Sequence, residues 1–154
     1  MRLDGKTIIV TGSGTGIGKA IAKLCIDEGA HVVISDKDEK LAAETVEELG
    51  KEKTITHVRD LTDEGCPAEL IALTKERSGR IDGLVNNAAF VTWSDIESTK
   101  PDYFKKVLDV NLVTPLALIQ AALPELKRNK GSVVNIGSVN AHCGEPTLLS
   151  LIHI

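Results

Sequence analysis

The amino-acid sequence predicts an α/β protein built on an open, doubly wound parallel sheet. Two observations carry this. Short apolar runs alternate with amphipathic helical stretches from residue 6 to residue 136. The runs are continuously apolar rather than alternating, which means strands covered on both faces. Parallel strands joined by right-handed helical crossovers give a sheet with helices on both sides.

The elements follow in order. "KTIIV" (6–10) is a β-branched run and reads as the first strand. A glycine-rich segment leads into a helix, on which Ile17, Ala20, Ile21, Leu24 and Cys25 are spaced as one apolar face. Gly29 ends it. "HVVIS" (31–35) is a second strand. The stretch 38–49 is a helix with Ala42, Val46 and Leu49 inward, stopped by Gly50. "TITHV" (54–58) is a third strand, and a helix runs from about Asp63 to Arg77, closed near Gly79. "IDGLV" (81–85) is a fourth strand. A long helical stretch covers about 101–128, and "SVVNI" (132–136) is the fifth strand. No internal repeat, low-complexity tract or linker interrupts this order.

Composition fits one domain with an aliphatic core. The 154 residues are 42% hydrophobic, 26% charged and only 3% aromatic. The net charge of −4 argues against a nucleic-acid partner or an anionic membrane surface, both of which need a basic face. The one basic cluster, Lys127-Arg128-Asn129-Lys130, falls where a helix ends and complements its dipole. Cys25, Cys66 and Cys143 are odd in number and match no metal-knuckle spacing, so no metal site is expected. The start, "MRLDGKTIIVTG", enters a strand directly, without an apolar signal region, and no apolar run is expected to cross a bilayer. A reducing cytoplasmic setting is the expectation.

In sheets of this kind ligands sit beyond the C-terminal strand ends. The first exit is Thr11-Gly12-Ser13-Gly14-Thr15-Gly16-Ile17-Gly18-Lys19. It fails the P-loop pattern, since Ser13 stands where the first glycine belongs and Ala20 follows Lys19. It fails G-x-G-x-x-G too, because the last position is Ile17 or Lys19. What fits is T-G-x-x-x-G-x-G. The physics is still that of pyrophosphate binding, with a close backbone approach and amides at a helix N-terminus. Gly12, Ser13, Gly14, Thr15, Gly16 and Ile17 are the expected cofactor loop. At the second exit Asp36 lies 18 residues after Gly18. An acid there accepts from an adenine-ribose 2′-hydroxyl and repels a 2′-phosphate, favouring NAD over NADP. The alternative is an acid at the N-terminus of the second helix.

At this point the residues resemble a known family, the short-chain dehydrogenases/reductases, over residues 4–148. Thr11-Gly12 with Gly16-Ile17-Gly18 is similar to its cofactor loop in a Rossmann fold. Asp60-Leu61 resembles its adenine-contacting pair, and Asn86-Asn87-Ala88-Ala89 its Asn-Asn-Ala-Gly signature, with Ala89 where glycine is usual. The resemblance implies that Asn87 and Ala88 touch cofactor, that Asn111 is the catalytic asparagine and that Ser138 is the catalytic serine. Independently, Asn111 falls on the stripe Phe104, Val107, Leu108, Asn111, and Pro115 cannot donate to its carbonyl. That carbonyl is then free to hold a water, or the helix is merely kinked. Ser138 would stabilise charge on a substrate oxygen as hydride moves, or would simply cap a turn. Val91, Trp93, His142, Cys143 and Glu145 are candidates for the substrate side.

The family's general base is a tyrosine in Tyr-x-x-x-Lys. The only tyrosine is Tyr103, and Val107 follows four residues later; in the family register Leu151 stands where the tyrosine is due. Leu149-Ser150-Leu151-Ile152-His153-Ile154 can be encoded by DNA resembling a transposon-end adapter used in sequencing libraries. The expectation is therefore an incomplete Rossmann domain over 1–148, a non-native tail over 149–154, and a fifth strand left as an open edge.

Two readings follow. In the first, the intact protein transfers hydride between NAD(P) and a secondary alcohol or ketone, in the manner of a 3-oxoacyl reductase or a sugar or polyol dehydrogenase. It works on a small-molecule substrate as a homo-oligomer, and this chain alone is inactive. In the second, the chain is a non-catalytic dinucleotide-binding module or redox sensor.

Overall fold

A computed structural model describes residues 1–95 and 97–143. Five strands form one parallel sheet in the order β3-β2-β1-β4-β5. They are β1 (Thr7–Thr11), β2 (His31–Asp36), β3 (Thr54–Val58), β4 (Gly83–Asn86) and β5 (Ser132–Asn135). The helices are α1 (Gly16–Asp27), α2 (Glu39–Leu49), α3 (Cys66–Ser78), α4 (Pro101–Leu108) and α5 (Thr114–Asn129). The strand order reverses between β1 and β4, which is the switch point where a doubly wound sheet opens a crevice.

Two apolar clusters lie on the two faces. Ile8, Val10, Val32 and Ile34 meet Ala22, Ala42 and Val46 on one side. Ile9, Val33 and Leu84 meet Leu70, Ile71, Leu118, Ala122 and Leu126 on the other. Every residue of β1 and β4 is buried, as continuous apolar strands require. β5 is the exception. All four of its residues are exposed, with Val134 at 49%, whereas β3 at the other edge has only Thr56 exposed.

The apolar face of α1 differs from the sequence expectation. Ile17 and Leu24 are each 65% exposed, while Gly18 and Ala22 are buried with Ile21 and Cys25 beside them. The helix turns its smallest residues to the sheet because it packs there at close range. A Cβ at Gly18 would stand 2.2 Å from the Gly12 carbonyl oxygen. Glycine carries no hydrophobic signal, so the inward stripe is invisible to an apolar count.

The helical stretch from Pro101 to Asn129 is continuous, with a π turn at Asp109–Val113 between α4 and α5. Thr114 N–H bonds the Asp109 carbonyl five residues back. Pro115 lies in the first turn of α5 and brings no N–H of its own, so the wider turn falls where the ladder is already interrupted. By length and composition this stretch could cross a bilayer, contrary to the sequence expectation. Its inner residues Leu118, Ala122 and Leu126 join the core instead, whereas Leu112, Val113, Leu116 and Leu123 face outward. Lys130, at φ 52°, closes α5 behind Lys127 and Arg128.

Candidate dinucleotide site

The C-terminal ends of β1, β2, β3 and β4 open onto one cleft of about 400 Å³. Gly12, Thr15, Gly16 and Ile17 from the first exit line it, as do Asp36, Asp60, Leu61, Asn87 and Ala88. Four loops far apart in sequence thus meet where the topology places a ligand. Ser13 and Gly14 do not line the cleft. Ser13 is fully buried; its hydroxyl donates to the Val10 carbonyl at 2.7 Å and accepts from Ser35 N–H at 3.0 Å. Gly14 is also buried, its N–H donating to Asp36 Oδ2 at 2.9 Å. The sequence assigned them to the ligand; the structure makes them the underside of the loop.

The first and fourth exits are joined by Thr11 and Asn87. Thr11 Oγ1 accepts both Asn87 N–H and Ala88 N–H at 3.0 Å. The Asn87 side-chain amide donates to the Thr11 carbonyl at 2.9 Å and the Gly12 carbonyl at 3.1 Å. Gly12, at φ 62°, leaves no room for a side chain: a Cβ there would be 2.8 Å from Ala88 Cα. These bonds fix the glycine loop against β4.

The residues present fit a dinucleotide. Thr15 is the N-cap of α1, yet its side chain caps nothing, so the first-turn amides lack the usual cap. No acidic residue sits in that turn. Gly16, at φ 55°, borders the cleft and would meet nothing within 4 Å if it carried a Cβ, so the loop leaves open space there. An uncapped, uncharged helix N-terminus facing a cleft suits pyrophosphate.

Asp36 has two engaged oxygens. One accepts Gly14 N–H at 2.9 Å and the other accepts Asp38 N–H at 3.1 Å. The cap of α2 is Asp38, which accepts from Leu41 N–H. Asp36 thus stands just ahead of that cap and takes its N–H, so it is also an acid at the N-terminus of α2. Asp60 accepts the Thr62 N–H at 3.0 Å and its hydroxyl at 2.7 Å. Those bonds, with the charges of Lys37 and Lys106, hold its carboxyl below the ordinary range against the opposing effect of burial.

Beneath the cleft wall Ser35 Oγ lies 3.2 Å from His57 Nδ1, and His57 Nε2 lies 3.9 Å from Cys66 Sγ. Burial pushes the His57 imidazole down and the Cys66 thiol up, so both are neutral near pH 7.

Asn111 is half-buried on the π turn and does not line the cleft. Its Oδ1 accepts Phe90 N–H at 2.8 Å and its Nδ2 donates to the Phe90 carbonyl at 2.8 Å. It clamps the loop after β4, and Phe90 does line the cleft. Ser138 caps a one-turn 3₁₀ helix at Val139–Ala141, accepting Asn140 N–H at 3.2 Å. It too stands outside the cleft, beyond the end of β5. Because Asn86 pairs with Asn135 and Ile136 N–H bonds the Asn86 carbonyl, its loop leaves beside that of Asn87. Trp93 and Val91 are exposed on the loop after β4, and His142 and Cys143 are exposed after β5. Glu145 and residues 149–154 lie outside the described residues. Among the described residues no group of three or more His, Cys, Asp or Glu side chains could hold a metal ion.

Lys37, the neighbour of Asp36, also lines the cleft, as do Arg59, Lys106, Val110 and Pro115, which were not anticipated. Lys106 and Val110 lie one helical turn apart, five and one positions before Asn111, a spacing that could have marked them.

A family model described as short chain dehydrogenase matches residues 6–150. L-fucose dehydrogenase of Rattus norvegicus is 37% identical over 98% of this chain and 56% of that protein. An NADP-dependent (R)-specific alcohol dehydrogenase of Lentilactobacillus kefiri is 34% identical over 96% of this chain and 60% of its own length. The chain thus spans a little over half of these relatives. A gluconate 5-dehydrogenase from Burkholderia cenocepacia, solved with NADP and tartrate, superposes with a TM-score of 0.89 at 31% identity. That match covers 99% of this chain and 61% of the solved one. The family model matched over residues 6–150 establishes that the chain belongs to the short chain dehydrogenase family.

Proposed function

We propose that the protein is an NAD(P)-dependent oxidoreductase acting on a secondary alcohol or ketone, with a sugar, sugar acid or polyol as the favoured substrate class. The observation that carries this is the convergence of four strand exits on a cleft bordered by an uncapped helix N-terminus. The named relatives support the substrate class, since two of those above act on sugars or sugar acids.

The dinucleotide, when bound, supplies the hydride acceptor or donor. The chain's own residues do the rest. The α1 amides and Gly12 would receive the pyrophosphate. Asp36 would accept from the adenine ribose, and Asp60 and Leu61 would border the adenine. Asn87 and Ala88 would hold the middle of the ligand. Asn111 acts through Phe90, keeping the cleft wall in place. Ser138, whose oxygen takes the Asn140 N–H, keeps its own O–H for a substrate oxygen. A donor there stabilises negative charge developing on that oxygen.

The proton step needs a base that titrates near neutrality. Tyr103 does not serve: it is 52% exposed on α4 and has no lysine four residues later. The 154 residues therefore supply the dinucleotide site, the serine and the asparagine, but no Tyr-x-x-x-Lys. We propose that this chain alone gives no turnover and that a chain carrying the motif does. NAD is favoured on the strength of Asp36, although the NADP in the gluconate 5-dehydrogenase structure weighs the other way. The protein is proposed to be cytoplasmic and, when carrying the full family fold, a homo-oligomer.

The test is calorimetric titration of this chain with NAD⁺ and NADP⁺. Saturable binding of either supports the reading. Absence of binding by a folded chain overturns it.

A further inference from the structure

Behind the cleft wall an imidazole joins two elements that shape the site. His57 is buried on β3, with Ser35 Oγ of β2 3.2 Å from its Nδ1 and Cys66 Sγ of α3 3.9 Å from its Nε2. The segment between His57 and Cys66 carries Arg59, Asp60, Leu61 and Thr62, all of which border the cleft. Backbone bonds hold it at both ends: Arg59 N–H donates to the Asp36 carbonyl at 3.2 Å, and Cys66 N–H to the Asp63 carbonyl at 3.1 Å. On its other side Ser35 exchanges bonds with Ser13 beneath the glycine loop. Its N–H donates to Ser13 Oγ at 3.0 Å, and its carbonyl accepts Ser13 N–H at 3.3 Å. The His57 ring thus links the support of the glycine loop to the wall that Arg59–Thr62 form.

These contacts suit a neutral ring. A hydroxyl is a better donor than a thiol, so Ser35 gives its proton to Nδ1 and Nε2–H points to sulfur. A second ring proton breaks that arrangement and puts a cation where water is excluded. Burial opposes the charge first, Glu69 from α3 favours it, and Arg59 from the exit of β3 opposes it. Glu69 and Asp63 are already paired with Arg59. Asp36, next to Ser35, spends its oxygens on the Gly14 and Asp38 N–H groups. Cys66 opens α3, so the positive end of that helix also faces the ring.

We propose that His57 is a proton-linked latch: the neutral ring holds the Arg59–Thr62 wall in place, and protonation releases it and lowers dinucleotide affinity. This rests on the dinucleotide reading above and adds control by pH to the same site. A bound dinucleotide covers this wall and excludes water from it, while its pyrophosphate is received at α1, beyond β1 and two strands away from β3. The complex therefore disfavours the charged ring more than the free chain does. Binding releases a proton, and affinity falls as pH falls.

The test is calorimetric titration of wild type and His57→Gln with NAD⁺ between about pH 7.5 and 5.5, a range spanning the ordinary imidazole value, in two buffers of different ionisation enthalpy. NAD⁺ is used because the 2′-phosphate of NADP⁺ itself titrates near pH ~6. Circular dichroism confines the comparison to conditions where each chain is folded. Wild-type affinity should fall about fivefold across this range, with roughly half a proton released per NAD⁺ bound near the midpoint. His57→Gln, polar but unable to take a charge, should change less than about twofold. A wild-type affinity that does not fall, or an equal fall in His57→Gln, overturns the latch. Ring-proton NMR of His57 gives a reading without any substitution: its titration midpoint should move down on saturation with NAD⁺, and a midpoint unmoved or raised overturns the proposal. No binding of NAD⁺ by the folded wild type at the upper end of the range would instead strike the dinucleotide reading itself.

Discussion

Asn87 offers the sharpest test of how the site is built. Its side-chain amide donates to two carbonyls of the glycine loop, Thr11 at 2.9 Å and Gly12 at 3.1 Å. Replacing it with alanine removes both bonds. Each net hydrogen bond is worth about 1 kcal/mol, and a polar group left unsatisfied adds about as much again. The expected loss is roughly 2–3 kcal/mol. For a chain of this size each kcal/mol lowers the midpoint by roughly 2–4 °C, so Tm should fall by about 5–10 °C. Differential scanning calorimetry measures it directly. Asn87→Asp at pH 7 should cost more, since a carboxylate would face two carbonyl oxygens. A fall under about 2 °C for the alanine variant, or an aspartate variant as stable as the wild type, would refute the idea that this amide ties the loop to β4.

Four further outcomes follow from the same structure. Gly18→Ala should unfold the first turn of α1 or abolish soluble expression, because the Gly12 carbonyl oxygen would be 2.2 Å from the new Cβ; normal thermal stability would show the loop to be laxer than described. Burial pushes the Asp82 carboxyl up, but the Arg80 and Thr7 hydrogen bonds with the Arg80 and Lys6 charges outweigh it and hold the group below its ordinary range. Its contribution is therefore full above pH ~4 and lost as pH falls through the lowered value, so urea midpoints of the wild type should drop between pH 5 and pH 2.5 more than those of Asp82→Asn. His57 is lowered chiefly by burial, with Glu69 opposing and Arg59 assisting. The unfolded chain thus takes up its proton first, and wild-type stability should decline as pH falls through about 6.5; a parallel profile in His57→Gln would remove His57 as the cause. Asp36→Arg should turn dinucleotide preference toward NADPH, and an unchanged preference would take Asp36 out of the ribose site.

The open parallel sheet and the cleft position were legible because both rest on strong signals. Five apolar runs between helices leave few topologies, and the topology then fixes where strand exits meet. Gly12, Gly16 and Asp36 could be placed in this way, whereas Asp60 and Asn87 were picked out by the family resemblance. What could not be read came from groups without a pattern of their own. The inward face of α1 is built round Gly18 and Ala22, and the glycine carries no side chain for a hydrophobic count to register. Ser13 looks like a ligand contact in a motif, yet its hydroxyl is spent on Val10 and Ser35 inside the fold. The π turn is foreshadowed only by Pro115. Asn111 was expected to offer its main-chain carbonyl to a water; what could not be read is that its side chain grips Phe90, a contact between residues 21 positions apart that spacing cannot reveal. Lys106 reads as a solvated helix residue until Phe90 is seen beneath it.

The central claim is that the C-terminal strand exits of this chain form a nicotinamide dinucleotide site. Backbone amide chemical shifts of ¹⁵N-labelled protein titrated with NAD⁺ and NADP⁺ test it most directly. Shifts should concentrate at residues 11–18, 36–37, 59–62, 86–90 and 106–110 and saturate with one ligand per chain. A spectrum of a folded chain that does not move at millimolar dinucleotide, or that moves at the opposite end of the sheet around His31 and Arg77, would contradict it.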